Sequence, residues 1–122
     1  MPLVLVVDDD LAMQMLMARL VESSGHEVVI ADNGIRGLEV FIRRAPDLVI
    51  TDLSMPGGEG GALIGEIRRR APHTKILAVS GGLIETEAGR AGADAVLGKP
   101  FRARAFCDAV AALLAAEPAT NY

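Results

Sequence analysis

One cysteine, one tyrosine, three phenylalanines and no tryptophan are spread over 122 residues. The single Cys107 excludes a disulfide framework and any metal site built on several thiolates. It suits a reducing compartment, and a cytoplasmic location is the expectation. With aromatics at 3% and apolar residues at 51%, the core must be aliphatic, made of Leu, Val, Ile, Ala and Met. A chain of this length buries roughly two-thirds of its unfolded surface, enough for one domain without staples. Basic charge is not in excess. The net charge is −4, so the basic footprint of a nucleic-acid-binding surface is missing. No apolar run approaches the roughly 20 residues that span a bilayer. The N-terminus enters a strand-like run without the basic region or cleavage site of a secretory leader, so neither secretion nor a membrane partner is expected.

What the sequence does have is a series of short apolar runs that end in chemistry. Leu48-Val49-Ile50-Thr51 stops at Asp52, and Leu53-Ser54-Met55-Pro56-Gly57-Gly58 cannot continue a strand. Leu3 to Val7 stops at Asp8-Asp9-Asp10, Ile76 to Val79 at Ser80-Gly81-Gly82, and Ala95 to Leu97 at Gly98-Lys99-Pro100. Continuous β-branched runs of this kind read as strands buried on both faces. Val28-Val29-Ile30 is a further short strand.

Helical patterns lie between the runs. The first helix is capped by Asp9 or Asp10 and turns Met13, Leu16, Met17, Leu20 and Val21 inward, with Ser23-Ser24-Gly25 as its stop. The second begins at Asn33-Gly34, buries Leu38, Phe41 and Ile42, and closes with Arg43-Arg44 and Pro46. The third carries Leu63, Ile64 and Ile67 and ends at Arg68-Arg69-Arg70, most simply a solvated helix end. A short, weak fourth helix is expected from about Glu85 to Arg90. The last buries Phe106, Val110, Leu113 and Leu114. Its Ala105, Ala109, Ala112 and Ala116 offer a close-packing surface for a homodimer or a target, with helix propensity as the plainer explanation. Strand and helix alternate five times, which predicts right-handed crossovers and a parallel sheet with helices on both faces.

In a parallel sheet all carboxyl ends lie on one side, where open α/β sheets bind ligands. Asp8, Asp9, Asp52, Ser80 and Lys99 are therefore expected to share one crevice. Clustered carboxylates raise one another's pKa, and a hard divalent cation such as Mg²⁺ relieves the repulsion. A cation, a lysine and a hydroxyl donor are the electrostatic parts that phosphoryl transfer requires, and a carboxylate is a competent acceptor. His26 and His73 read as surface loop residues, and Cys107 as a small buried hydrophobe. The methionines at 13, 15 and 17 are core or helix surface. Gly57, Gly58, Gly60 and Gly61 look like a phosphate cradle, but no nucleotide-binding motif follows a strand here.

With these residues in place, the chain resembles the receiver domains of two-component response regulators, of the chemotaxis-regulator-like single-domain type. The likeness rests on Asp8-Asp9, Asp52 to Gly57, Ser80, Ala91-Gly92-Ala93-Asp94 and Lys99-Pro100-Phe101, each at or near a strand end and in order. It implies a flavodoxin-like, doubly wound (βα)5 fold with a five-stranded parallel sheet ordered 2-1-3-4-5 and a shortened fourth helix. Residues 1–117 would form the receiver domain and 118–122 a flexible tail. By the same resemblance Asp52 accepts a phosphoryl group from a phosphohistidine on a sensor histidine kinase or histidine phosphotransfer protein. Asp9, Asp52 and the backbone oxygen of Ser54 would hold Mg²⁺, with Asp8 acting through water. Ser80 and Lys99 would bind the phosphoryl oxygens, and the Lys99–Pro100 bond would be cis.

Three features depart from the family pattern. Val96 stands where an aromatic switch residue is usual. The segment from Ser80 to Lys99 is short and opens with two glycines. Ser54 and Gly82 are small, which implies a readily hydrolysed phosphoaspartate. The leading function is thus a phosphorelay switch that is not an enzyme on external substrates, acting on an unidentified protein target, alone or as part of a longer regulator. The alternatives are a receiver-like scaffold that is not phosphorylated, and a small Mg²⁺-dependent phosphatase.

Overall fold

The computed structural model describes residues 1–81 and 92–116. The chain runs β1 (Leu3–Val7), α1 (Leu11–Ser23), β2 (Glu27–Ala31), α2 (Gly34–Arg44), β3 (Leu48–Asp52), a short 3₁₀ turn (Pro56–Gly58), α3 (Glu59–Arg70), β4 (Lys75–Ser80), β5 (Ala95–Gly98) and α4 (Ala103–Ala115). The strands form one five-stranded sheet in the order β2-β1-β3-β4-β5. Every pairing is parallel, so the expected fold class is the observed one. The short helix expected from about Glu85 to Arg90, Gly82, Ala91 and the tail 118–122 lie outside the described residues.

The alternation of strand side chains splits the core into two layers. Leu5, Val7, Val49, Ile76 and Ala78 face α2 and α3, meeting Phe41, Leu63, Ile64 and Ile67. Val4, Val6, Leu48, Ile50, Leu77 and Val79 face α1 and α4, meeting Met17, Val21, Phe106 and Val110. β3 is central and all five of its residues are buried, which is why its sequence shows no polar alternation. Phe101 stacks on Phe106 with ring centroids 5.2 Å apart, so two of the few aromatics anchor the start of α4.

Local capping follows the sequence. The Asp10 carboxylate accepts from the Met13 N–H at 3.0 Å, and the Asn33 side chain accepts from the Arg36 N–H at 2.8 Å. Each satisfies an orphan donor of a helix's first turn. Ala45 closes α2 in the left-handed conformation.

Two expected core positions are corrected. Leu16 is 45% exposed and Ile42 is 56% exposed. The inward line of α1 runs through Gln14, Met17, Ala18 and Val21; Leu16 stands two residues from both Gln14 and Ala18, about 200° round the helix. In α2 the inward line runs through Gly34, Gly37 and Phe41. A Cβ at Gly37 would come within 3.0 Å of Val7, so α2 approaches the sheet along its glycines, which a hydropathy pattern does not register. His26 is also not a plain surface residue: it is half-buried, and its Nδ1 is enclosed without a hydrogen-bond partner among the described residues.

Candidate functional site

Parallel pairing brings Asp8, Asp52, Ser80 and Lys99 to the carboxyl edge of four adjacent strands. Asp8 follows β1, Asp52 and Ser80 end β3 and β4, and Lys99 follows β5. Asp8, Asp52 and Ser80 are buried, while Asp9 is exposed. One carboxylate oxygen from each of Asp8, Asp9 and Asp52 lies within 4.8 Å of the others. The Lys99 Nζ stands 3.2 Å from Asp52 Oδ2 and 3.5 Å from Asp8 Oδ2. The crevice expected from the strand ends is therefore formed.

Each group is held by its neighbours. Asp52 Oδ1 accepts the Ser54 N–H at 2.9 Å, which leaves Oδ2 to face Lys99. Asp8 Oδ1 accepts the Asp10 N–H at 2.9 Å. The backbone of Asp8 is pinned on both sides: its N–H donates to Ala31 O at 3.2 Å, and its carbonyl accepts the Gln14 side-chain amide at 2.5 Å. The Lys99 N–H donates to Ser80 O at 2.6 Å, tying lysine and serine together through the backbone. The Lys99–Pro100 peptide bond is cis. The Ser54 hydroxyl, on an exposed residue, accepts the Gly81 N–H at 3.3 Å and bridges the loops after β3 and β4. Val96 is half-buried, paired with Ala78, and packs against the α2–α3 layer.

Electrostatics set the chemistry. Burial pushes the Asp8 carboxyl above its ordinary value, and the charge of Asp52 adds to that rise. The Asp10 N–H, and to a lesser extent Lys99, work the other way. Three carboxylates against one ammonium (−3 + 1) leave two formal negative charges in one crevice. An oxygen-only donor set with that residual charge fits a hard divalent cation such as Mg²⁺. The carboxylate oxygens of Asp8, Asp9 and Asp52 lie close enough together for such a group.

Sequence reading missed three residues that shape the site. Gln14 lies on a helical stripe that looks simply apolar, yet its amide serves the Asp8 carbonyl. Gly60 abuts the Asp52 carbonyl: a Cβ there would collide with that oxygen. Arg68 is not a solvated helix end; its guanidinium bonds three carbonyls and Asp94. Only Asp94 offered a signal for that pairing, as an acid just before a strand.

Sheet order and site together define a doubly wound α/β signalling module of the receiver class. The family model for the response regulator receiver domain matches residues 4–111, and the chain belongs to that family. It is 42% identical over 111 residues to the response regulator protein FleR of Pseudomonas aeruginosa, covering 88% of this chain but 24% of FleR. It is 32% identical over 111 residues to the chemotaxis protein CheY of Bacillus subtilis, covering 88% of this chain and 92% of CheY. The chain thus spans about a quarter of the first relative and nearly all of the second. A receiver domain from Clostridium thermocellum superposes with a TM-score of 0.86 at 28% identity, over 93% of this chain and 94% of that one. The receiver domain of NtrX from Brucella abortus gives 0.84 at 31% identity, over 91% and 97%. Receiver domains of this family are the signalling modules of two-component systems. Among the described residues no helix is long and apolar enough to cross a membrane.

Proposed function

We propose that this chain is a phosphoacceptor receiver whose acceptor is Asp52, within a unit spanning residues 1–117. An Asp52 carboxylate oxygen attacks the phosphorus of a phosphohistidine on a sensor kinase or histidine phosphotransfer protein. A P–O bond forms as the P–N bond breaks, and the imidazole leaves with a proton from solvent. Mg²⁺, when bound, neutralises the oxygens of the group in transfer. Asp9, Asp52 and the Ser54 backbone oxygen would hold it, with Asp8 acting through water. Lys99 releases Asp52 Oδ2 and pairs with a phosphoryl oxygen. Ser80 hydrogen-bonds another, drawing its loop inward. The pull on the loop after β4 is what a protein target would read, in the cytoplasm. Val96 provides no aromatic ring to relay that pull. Ser54 is small and exposed, so water reaches the phosphoryl group and the phosphoaspartate is short-lived.

The observation that carries this reading is the 3.2 Å approach of Lys99 Nζ to Asp52 Oδ2 beside a three-carboxylate cluster. The test is incubation with acetyl phosphate and Mg²⁺, followed by intact mass. One phosphoryl group should be added, and none to Asp52→Asn or after chelation. Equal labelling of Asp52→Asn would refute the acceptor. No labelling of the wild type would favour a receiver-like scaffold, and continued turnover of a generic phosphate ester a phosphatase.

A further inference from the structure

The Arg68–Asp94 pair has no part in the chemistry above, yet it sits where the last strand is set in place. Arg68 lies in the final turn of α3. Its guanidinium donates to Gly92 O at 2.7 Å, Thr74 O at 2.5 Å, Pro72 O at 3.2 Å and Asp94 Oδ2 at 2.5 Å. Asp94 Oδ2 also accepts the Ile76 N–H at 2.7 Å, and the Asp94 N–H donates to Ile76 O at 2.9 Å. Gly92 has φ +103°, and a Cβ there would lie 3.0 Å from Arg68 Cγ. The Gly92-Ala93-Asp94 segment is therefore shaped around this arginine.

β5 needs such a fixture. It is an edge strand of four residues, half-buried at best. Ala95, Val96 and Leu97 are all apolar, so no polar–apolar alternation specifies their register. A slip of one residue would send each side chain to the opposite face. The observed register pairs Leu77 with Ala95 and Ser80 with Gly98, and the next residue is Lys99. We infer that Arg68, acting through Asp94, fixes the register of β5 and is thereby a positioning residue for Lys99, which lies roughly 17 Å from Asp94 along β5. The functional consequence rests on the role proposed for Lys99; the placement itself does not.

Two amides test it. The Lys99 N–H donates to Ser80 O, and the Leu53 N–H donates to Val79 O, at the same rim on either side of β4. Native-state hydrogen exchange is compared for wild type, Arg68→Ala and the milder Asp94→Asn. Loss of register control speeds exchange at Lys99 roughly tenfold more than at Leu53. Equal acceleration at both amides, or none at Lys99, means that Arg68 only stabilises the fold and overturns the inference. Arg68→Lys, a point charge that cannot reach four acceptors, should not rescue; full rescue would also overturn it. A second arm measures phosphoryl uptake from acetyl phosphate. Arg68→Ala should slow uptake in the wild-type background and add nothing in Lys99→Ala, whereas additive losses would refute coupling through Lys99. If the wild type takes up no phosphate, the phosphoacceptor reading fails while the exchange arm still decides the placement.

Discussion

Gly60 packs against the backbone carbonyl of Asp52 so closely that a Cβ would collide with the oxygen and lie 3.0 Å from the Leu53 Cα. The first turn of α3 thus rests directly on the residue proposed as the acceptor. Gly60→Ala must push the helix away from the end of β3. The expected cost is about 1–3 kcal/mol in chemical denaturation, together with slower labelling of Asp52. Unchanged stability would show that the turn yields freely.

Asp8 gives a pH-dependent prediction with a definite sign. Its carboxyl titrates above its ordinary value in the fold, chiefly through burial. The native state therefore keeps this proton at pH values where the unfolded chain has lost it. Stability falls as pH rises through that window, and the ionised form costs the metal-free fold stability at neutral pH. Asp8→Asn should raise the Tm of the metal-free protein at pH 7. The gain should vanish below the ordinary carboxylate range, near pH ~3.9. Mg²⁺ should raise the Tm of the wild type more than that of the variant. A lower metal-free Tm for Asp8→Asn at pH 7 would contradict this account.

Glycines in two helices should respond in opposite directions. A Cβ at Gly65 meets nothing within 4 Å, whereas one at Gly37 would crowd Val7 and Leu63. Gly65→Ala is expected to stabilise by about 0.5–1 kcal/mol through helix propensity. Gly37→Ala should destabilise by about 1–3 kcal/mol through overpacking. Urea denaturation of the two variants side by side checks the contrast.

Phe106 is fully buried on the inner face of α4. Phe106→Ala leaves a large cavity in that layer and should cost about 3–5 kcal/mol. A cost below about 1 kcal/mol would mean that α4 collapses to fill the space.

The sheet and the crevice were legible because their signals are local. A β-branched run ending in a carboxylate states both its burial and where it delivers the acid, and Asp8 and Asp52 each end such a run; Lys99 likewise follows a short apolar run. The helix faces were legible only in part. Leu16 and Ile42 look like core by composition, but packing sets the contact lines through Gln14 and through Gly34 and Gly37. Arg68 was hidden for a related reason. Three consecutive arginines give no clue as to which one turns back, and its partners Gly92 and Asp94 lie 24 and 26 residues further along.

Lys99 and Asp8 are 91 residues apart in the chain and meet across the rim. Asp8 directly follows the first strand and Lys99 directly follows the fifth. A nascent or truncated polypeptide can bury much of its interior and still present an incomplete pocket. The pocket is whole only once β5 has joined the sheet, so a copy in which that strand has not docked lacks the amine that pairs with Asp52.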